Sequence, residues 1–221
     1  MVHLSSSLLA AAVMGTVSLP FLTGLSSNSA VGVDYRDLSE LLRSQQWEAA
    51  ATETDRLIFQ VADKSQQLTI GTDMLTNEAV RRFPCQDLRT IDHLWRQESH
   101  DRFGFRVQLQ VAVRQGVSVN YLELEQSPKG WAAFRQAVGW QAWADRTADP
   151  EVEPEPLKSK IDVPEGLFPL PVRSTGDFGD RPSIGNQQAF FGAGFLERAR
   201  QCKLEDGQKV STGTADRFYA R

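Results

Sequence analysis

The side chains that most often carry catalysis are few in this sequence. Its two cysteines are Cys85 and Cys202, and two of its three histidines, His93 and His100, lie in one stretch. Asp92 and His93 are adjacent, and adjacent helical side chains point apart, so they form no catalytic dyad. The sequence has no phosphate-binding glycine loop, zinc-binding histidine–glutamate pair or nucleophile elbow. We therefore predict no catalytic residue, no metal site, no required cofactor and no enzymatic activity.

Simpler interpretations of these residues stay open. Cys85 can be interpreted as a nucleophile or, as is more common for cysteine, as a small buried apolar side chain. His93 and His100 are ligands for a metal or haem iron, or surface histidines near a helix end. Two cysteines define neither a disulfide framework nor a zinc site, although Cys85 and Cys202 can form one bridge if the chain is exported.

The stretch from 83 to 107 sets the positions of these residues. Pro84 ends the preceding helix, and Asp87 is expected to cap the next one. Gly104 lies between two phenylalanines and predicts a close approach of the backbone to the end of that helix. We expect one of these two rings to enter the core and the other to form a groove wall. Three apolar residues fall on one face of the helix: Leu88, Ile91 and Trp95.

This stretch resembles a known family signature. Phe-Pro-Cys-x-Asp-Leu-x-Thr-Ile-Asp-x-Leu-Trp starts at Phe83, and Arg-Phe-Gly-Phe-x-Val-Gln starts at Arg102. Both are similar to the signature of the genomes-uncoupled-four domain family, and the likeness extends more loosely from about 34 to 202. The family is all-helical and binds porphyrins, and its best-known members stimulate magnesium chelatase in chlorophyll synthesis. The resemblance implies a divergent member: an all-α, compact single domain of several short helices, with a concave groove and long mobile loops.

The resemblance also implies a site for protoporphyrin or magnesium-protoporphyrin. A porphyrin is a flat apolar disc with acidic edges, so it needs a concave apolar surface and a few cations at the rim. Arg102 and Arg106 are further candidates for the rim, whereas Trp131 and Phe134 fit the core better. The predicted porphyrin-binding residues are Trp47, Arg56, Val80, Phe103, Phe105, Val107, Trp140, Trp143, Leu167 and Phe168.

Three departures from the family pattern limit what the resemblance implies. Gly166-Leu167-Phe168-Pro169 stands where the family has Gly-His-Leu-Pro. The segment 145–155 is acidic and would repel propionates, and Arg173 or Arg181 would have to replace an arginine-bearing segment of the chelatase regulators. Porphyrin binding is therefore a stronger expectation than chelatase activation. The predicted function is a non-enzymatic tetrapyrrole-binding protein that regulates or assists magnesium chelatase and chlorophyll biosynthesis. The alternative is a ligand-free protein-interaction or sensor module at the membrane or outside the cytoplasm.

Composition limits the classes of partner. The apolar content of 41% and charged content of 24% are typical of a globular protein, and the net charge is −4. Nucleic acid is not an expected partner, because neutralising phosphates requires clustered lysine and arginine. The expected partners are a porphyrin and the large porphyrin-binding subunit of magnesium chelatase.

The chain divides into three parts. Residues 8–25 are mostly apolar and resemble the core of a signal peptide or a marginal membrane anchor, although no lysine or arginine precedes them. We predict an apolar leader at 1–33, a helical domain at 34–202 and a polar tail at 203–221. A working leader would make the protein membrane-associated or exported, and otherwise it would be cytoplasmic.

Within the domain, a helix capped by Asp34, a turn at Gln45 and Gln46, and a second helix from Trp47 predict an antiparallel hairpin. A short helix over 119–125 and a last helix over 189–202 are also predicted. Residues 105–113 alternate apolar and polar side chains, which is typical of a strand. A lone strand would leave its backbone unpaired, and the resemblance implies a helix, so we predict a helix there. The inner face of the second helix is predicted to comprise Ala50, Ala51, Thr54, Leu57, Ile58 and Val61.

Overall fold

The computed structural model describes residues 29–65, 75–119, 128–146, 163–170 and 194–204. Helices make up most of these ranges, and the predicted all-α fold class is confirmed. The helices are α1 (Arg36–Arg43), α2 (Trp47–Lys64), α3 (Asn77–Arg82), α4 (Cys85–Ser99), α5 (Phe105–Arg114), α6 (Pro128–Ala137), α7 (Trp140–Arg146) and α8 (194–201).

Helices α1 and α2 form the predicted hairpin. The Asp34 carboxylate accepts the backbone N–H of Arg36 at 3.0 Å and so satisfies a free donor in the first turn of α1. Gln45 turns the chain in the left-handed region with φ 59°. All six residues predicted for the inner face of α2 are buried. Within the hairpin α1 packs against α2, and α1 also contacts α4.

Helix α4 lies at the centre of the fold. Its predicted face is confirmed, because Leu88, Ile91 and Trp95 are all fully buried. The Trp95 indole N–H donates to Thr54 Oγ1 on α2 at 3.0 Å, so the one polar atom of this buried ring is satisfied. The helix ends where His100 adopts the left-handed conformation. This interior packing makes α4 the rigid element on which the surrounding segments are placed.

Asp87 does not cap α4, contrary to the prediction. Pro84 occupies the cap position, and the fully buried Asp87 side chain points to the segment before α1. Its carboxylate accepts the hydroxyl of Ser29, the backbone N–H of Ala30 at 3.0 Å and the hydroxyl of Tyr35 at 2.7 Å. Burial and the neighbouring carboxylate raise the pKa of the Tyr35 phenol, so it stays protonated as the donor. Three long-range partners therefore replace the expected local one.

Helix α5 confirms the prediction made against the strand pattern. Its polar residues Arg106 and Gln108 are buried together with the apolar residues on either side of them. Gly104, which precedes it, has φ 130°, a conformation that only glycine adopts readily. A Cβ at this position would lie 2.8 Å from Arg96 Cγ and 2.9 Å from Asp92 Oδ1. The predicted close approach to the end of α4 is therefore present.

Several predictions lie outside the described residues. These are the leader core at 8–25, the bulk of the helix at 119–125, the acidic segment at 147–155, the start of the last helix at 189–193, Arg173, Arg181 and the tail from 205. Among the helices that the structure describes, none is long and apolar enough to span a membrane.

Candidate functional site

Five aromatic rings meet beside α4 and form what we call the central aromatic cluster. Trp95 stacks on Phe168 with centroids 5.5 Å apart, and Phe103 meets the same ring edge-on at 5.3 Å. Trp47 from α2 contacts Phe103 at 5.3 Å, and Trp143 from α7 contacts Phe168 at 5.6 Å. Each of the five rings therefore contacts at least one other ring of the cluster. Four of them are buried, and Trp143 is half-buried.

Hydrogen bonds fix the segment 163–170, which carries Phe168, to the start of α5. The backbone N–H of Gly104 donates to the Phe168 carbonyl at 2.9 Å, and the Gly166 N–H donates to the Arg102 carbonyl at 2.9 Å. The buried Gln108 amide donates to the carbonyls of Gly166 at 3.0 Å and Pro169 at 2.7 Å. This segment is thus joined to the rest of the fold at several points.

Trp140 adds a further bond to the same segment. Its indole N–H donates to the Leu167 carbonyl at 2.9 Å. Around Trp140 lie Trp131 and Phe134, with ring centroids 6.1 and 5.3 Å away. Both of these rings are buried, in agreement with their predicted place in the core. The peptide bond between Phe168 and Pro169 is cis.

A second group of rings, which we call the α8 cluster, lies on the other side of Gly104 in the sequence. Phe195 of α8 stacks on Phe105 with centroids 5.9 Å apart and meets Phe83 edge-on at 5.5 Å. Next to Phe195, a Cβ placed on Gly194 would lie 3.0 Å from Val80 Cγ1. Helix α8 thus covers an apolar face built by α3, α5 and the residues between α3 and α4.

Three links hold α8 on this face. A disulfide joins Cys85 to Cys202, which are 117 positions apart in the sequence and have Cα atoms 5.3 Å apart. The Arg198 guanidinium donates to the Phe83 carbonyl at 2.8 Å, and the Arg89 guanidinium donates to the Cys202 carbonyl at 2.6 Å. Burial lowers the pKa of Arg198, whose partners here are the neutral oxygens of Phe83 and Gln201. The sequence left the pairing of the cysteines open.

The predicted porphyrin-binding residues divide between these two groups. Trp47, Phe103, Trp143 and Phe168 belong to the central aromatic cluster, and Val80 and Phe105 belong to the α8 cluster. Trp140 and Leu167 are joined by a hydrogen bond, and Val107 is buried in α5. Arg56 is exposed on α2, where it pairs with Glu53 at 2.6 Å. Their role in binding a porphyrin stays a prediction.

Two outcomes differ from the expected groove. Phe103 and Phe105 do point into different clusters, but both are buried, with exposures of 0% and 4%, because Phe195 covers the second ring. Arg106 was a candidate rim cation and is only 6% exposed. Arg102 is half-buried and donates to the Val163 carbonyl. In this conformation neither arginine lies at an open rim.

Sequence reasoning missed three polar residues that the structure makes important. Arg89 and Arg198 each lie four residues from a cysteine, a helical spacing that places them beside the disulfide once the pairing is known. Asp92 caps α5 from outside that helix: its Oδ1 accepts the backbone N–H of Arg106 at 2.8 Å. Burial raises the pKa of Asp92 to about 6, against the opposing effects of that hydrogen bond and of Arg96.

Among the described residues, no three histidine, cysteine, aspartate or glutamate side chains are grouped to hold a metal ion. His93 and His100 are exposed. Cys85 is engaged in the disulfide. What remains is two groups of largely buried aromatic rings, with Arg89 and Arg198 beside the α8 cluster.

A model of the GUN4-like family matches residues 28–177 of this sequence. The chain belongs to the GUN4-like family. At family level these proteins are tetrapyrrole-binding regulators of magnesium chelatase and are not enzymes. The match includes the signature stretch and the whole central aromatic cluster, whereas α8 and Cys202 lie beyond it.

Curated relatives of this GUN4-like chain are Ycf53 proteins. It is 31% identical over 142 residues to ycf53 of Pyropia yezoensis, covering 64% of this chain and 52% of that protein. It is 32% identical over 141 residues to ycf53 of Porphyra purpurea, covering 62% and 50%. The Ycf53-like protein of Synechocystis is 30% identical over 143 residues, covering 64% and 53%. The chain therefore spans about half the length of the curated relatives it matches.

Two solved structures are similar as well. GUN4 from Chlamydomonas reinhardtii has a TM-score of 0.46 and 21% identity, with 76% of this chain and 92% of that chain covered. Ligand-free GUN4 from Arabidopsis thaliana has a TM-score of 0.44 and 21% identity, with 73% and 96% covered.

Proposed function

We propose that this protein is a non-enzymatic tetrapyrrole-binding protein that regulates or assists magnesium chelatase and needs no cofactor for this role. The observation that carries the proposal is membership of the GUN4-like family over residues 28–177. The proposed ligand is protoporphyrin or magnesium-protoporphyrin. The proposed protein partner is the large porphyrin-binding subunit of the chelatase.

The proposed ligand surface is the apolar face beneath α8 rather than the central aromatic cluster. A ring inserted into the central cluster would have to separate Phe168 from several neighbours and break the hydrogen bonds that hold 163–170. At the α8 cluster, displacement of the described segment 194–204 removes Phe195 and Gly194 from Val80, Phe83 and Phe105. Uncovering apolar surface is costly unless a ligand covers it again, which a flat tetrapyrrole would do.

Arginine side chains beside this face suit the acidic edge of the ligand. Arg89 is exposed apart from its bond to the Cys202 carbonyl, so it becomes available when α8 moves away. A guanidinium binds a carboxylate through paired, charge-assisted hydrogen bonds, which are stronger than its bond to a neutral carbonyl. Phe195 contacts Phe105, and the Cys202 carbonyl accepts the hydrogen bond of Arg89. Seven residues of helix, about 10 Å, separate these two points. This spacing places a cation at the edge of the apolar face.

A titration with protoporphyrin tests the proposal, with quenching of tryptophan fluorescence as the readout. The full chain is titrated in its oxidised form and after reduction with dithiothreitol. Saturable quenching at micromolar ligand in at least one form is expected. Quenching that does not saturate in either form would refute tetrapyrrole binding.

Two arginine variants then locate the acidic edge of the ligand. Arg89→Gln is expected to raise the Kd about tenfold, the usual effect of removing one charge-assisted hydrogen bond. Arg43→Gln is the matched control, because Arg43 is an exposed arginine on α1 whose side chain bonds Ser39 instead. Equal Kd values for both variants would place the propionates elsewhere. Recovery of the chelatase subunit with the wild-type chain from cell extract tests the partner.

An interaction or sensor module at the membrane or outside the cytoplasm is the second candidate. The disulfide favours it, because such bonds persist mainly in oxidising compartments. In this alternative the residues at 8–25 export or anchor the protein, and the aromatic face serves a protein partner. Cell fractionation combined with thiol trapping separates the candidates. A protein found in the cytoplasm with free thiols would argue for the first, and an oxidised protein in the exported or membrane fraction for the second.

A further inference from the structure

Helix α8 is placed as a removable cover. It contributes Phe195 over Phe83 and Phe105, and its Gly194 lies against Val80. The described part of the helix spans 194–201, and Phe195, Leu196 and Ala199 within it are buried against the rest of the fold. Its position therefore depends on the links that hold it to the face beneath.

The strongest of those links is covalent and lies at the end of α8 away from Phe195. The Cys85–Cys202 disulfide attaches residue 202 to the first residue of α4. Two hydrogen bonds also hold the helix. They are donated to backbone carbonyls by Arg89, which is exposed, and by Arg198, which is half-buried, so water competes for both guanidinium groups. Loss of the disulfide thus leaves the segment 194–204 held by exchangeable hydrogen bonds and by the packing of its buried apolar side chains, which a ligand would have to replace. These side chains are Phe195, Leu196, Ala199 and Leu204.

We infer that the thiol state of Cys85 and Cys202 controls access to the tetrapyrrole face. In the disulfide form α8 covers Val80, Phe83 and Phe105. In the dithiol form α8 leaves, the apolar face opens, and Arg89 loses the Cys202 carbonyl as its partner. This inference rests on the proposed tetrapyrrole-binding function and adds to it a redox regulation of the same site.

The exchange requires a dithiol reductant, such as a protein with two neighbouring cysteines. Its thiolate attacks the sulfur of Cys85, because Cys85 is partly exposed whereas Cys202 is 1% exposed. Cys202 leaves as a thiolate and takes up a proton. The second thiol of the reductant then attacks the mixed disulfide and frees Cys85. Two electrons and two protons pass to the protein, and the reductant becomes a disulfide.

Helix α8, which covers the apolar face, lies beyond the part of the chain that matches the family. The family match ends at residue 177, and both Phe195 and Cys202 follow it. Cys85, in contrast, lies inside the signature stretch. The covering ring and one cysteine of the disulfide therefore lie outside the family match, and the other cysteine lies inside it.

Protoporphyrin titration of the full chain under oxidising and reducing conditions tests the inference. We expect the Kd to fall at least tenfold on reduction with dithiothreitol and to return on reoxidation. Amides of 194–204 are expected to lose protection from hydrogen exchange in the same step, while those of α4 keep it. Equal affinity in both forms, or unchanged protection of 194–204, would overturn the inference.

Cys202→Ser supplies the control for effects of the reductant on the ligand. This variant should bind like the reduced wild type whether or not dithiothreitol is present. A variant that still responds to dithiothreitol would show that the response does not come from this disulfide. If the variant does not fold, the change in the Kd of the wild type on reduction and reoxidation tests the inference by itself. Failure of tetrapyrrole binding in both forms refutes the proposed function, whereas equal binding in both refutes only the redox control.

Discussion

The central aromatic cluster and the α8 cluster meet at Gly104 and are built in different ways. Phe103 enters the first, where Trp47 of α2 contacts it and rings from α4 and α7 contact Phe168. Phe105 enters the second, where a single ring from α8 covers it. The first is joined by hydrogen bonds between backbone and side chains on 102–108 and 163–170. The second is joined by a disulfide and two arginines.

The difference means that the central aromatic cluster forms a permanent interior, whereas the α8 cluster stays buried only while its disulfide is intact. Buried hydrogen bonds between peptide groups break only when the surrounding structure opens, because each group left unpaired carries a desolvation penalty. A disulfide breaks when a thiol meets it, whatever the stability of the rest of the fold. Because they are held by different kinds of link, the two clusters are expected to respond differently to the same perturbation, although Phe103 and Phe105 are both buried.

Removing one ring from each cluster is expected to have the largest effect. Phe103→Ala should lower the free energy of unfolding by about 3–5 kcal/mol, the usual cost of truncating a fully buried phenylalanine. Phe195→Ala should cost less globally, because only α8 detaches, and should mainly raise hydrogen exchange at 194–204. Urea unfolding and hydrogen exchange measure the two effects. Equal losses of global stability would mean that α8 is part of the permanent interior.

Titration of Asp92 is expected to give the next largest effect. Its pKa rises from 3.8 to about 6 on folding, so the folded protein binds this proton more tightly than the unfolded chain does. Its contribution to stability is therefore complete below pH 3.8 and is lost as the pH rises through 6. The change in pKa corresponds to about 3 kcal/mol. The neighbouring charges of Arg96, Arg106 and Asp101 are included in this shift.

Asp92→Asn tests this pH dependence without removing the acceptor for α5. The amide oxygen can still accept the Arg106 N–H, whereas the titrating proton is gone. Urea unfolding of the variant and wild type from pH 4 to 7 should give curves that converge at low pH and separate above pH 6, with the variant more stable. Parallel curves would mean that Asp92 keeps its ordinary pKa in the folded protein.

Crowding at the junction between the clusters should have an intermediate effect. Gly104→Val is expected to cost about 1–3 kcal/mol, because the new side chain meets Arg96 and Asp92 and the backbone has φ 130°. Gly116→Val is the matched control, since Gly116 also has a positive φ, of 66°, but no atom within 4 Å of an added Cβ. The excess cost of Gly104→Val in urea unfolding reports crowding together with the extra strain of its backbone region, which is almost restricted to glycine. An equal cost would mean that neither adds to the ordinary cost of a side chain at a positive φ.

The smallest expected effect concerns one hydrogen bond to the segment 163–170. Trp140→Phe leaves the Leu167 carbonyl without its indole donor and should cost about 1 kcal/mol. Trp131→Phe is the control in the same ring group, because the buried Trp131 indole N–H has no acceptor in the part of the chain that the structure describes. Thermal unfolding should therefore rank Trp140→Phe as the less stable variant. The opposite order would contradict the role given to this bond.

Periodic patterns explain why much of the fold was predictable. The inner face of α2 and the face of α4 follow helical spacing, and each residue placed there is buried. Helix α5 shows the limit of the method. Its alternating pattern indicates a strand, because Arg106 and Gln108 read as solvent-facing, yet both are buried and Gln108 binds the backbone 58 and 61 residues further along. Resemblance to a helical family, not periodicity, decided this element correctly.

Long-range partners explain why the candidate site was less predictable. Asp87 has the residue type and the position of a helix cap, but its partners are Ser29, Ala30 and Tyr35. The cover over Phe105 comes from Phe195, ninety positions later in the chain. Local spacing holds no information on such pairs, so an aromatic residue beside a glycine was read as an open groove wall.

The first turn of α4 has a mechanical consequence. Asp87 anchors residues 29–35, while Cys85 and Arg89 anchor residue 202, so both extremes of the described fold are tied to this one turn. A pulling force applied at residues 29 and 204 would pass through the covalent link between Cys85 and Cys202. The loop between them, which contains α4 to α7 and the whole of 163–170, would carry no load in the oxidised chain. After reduction the same force would reach every element in turn, and the chain could be drawn out to its full length.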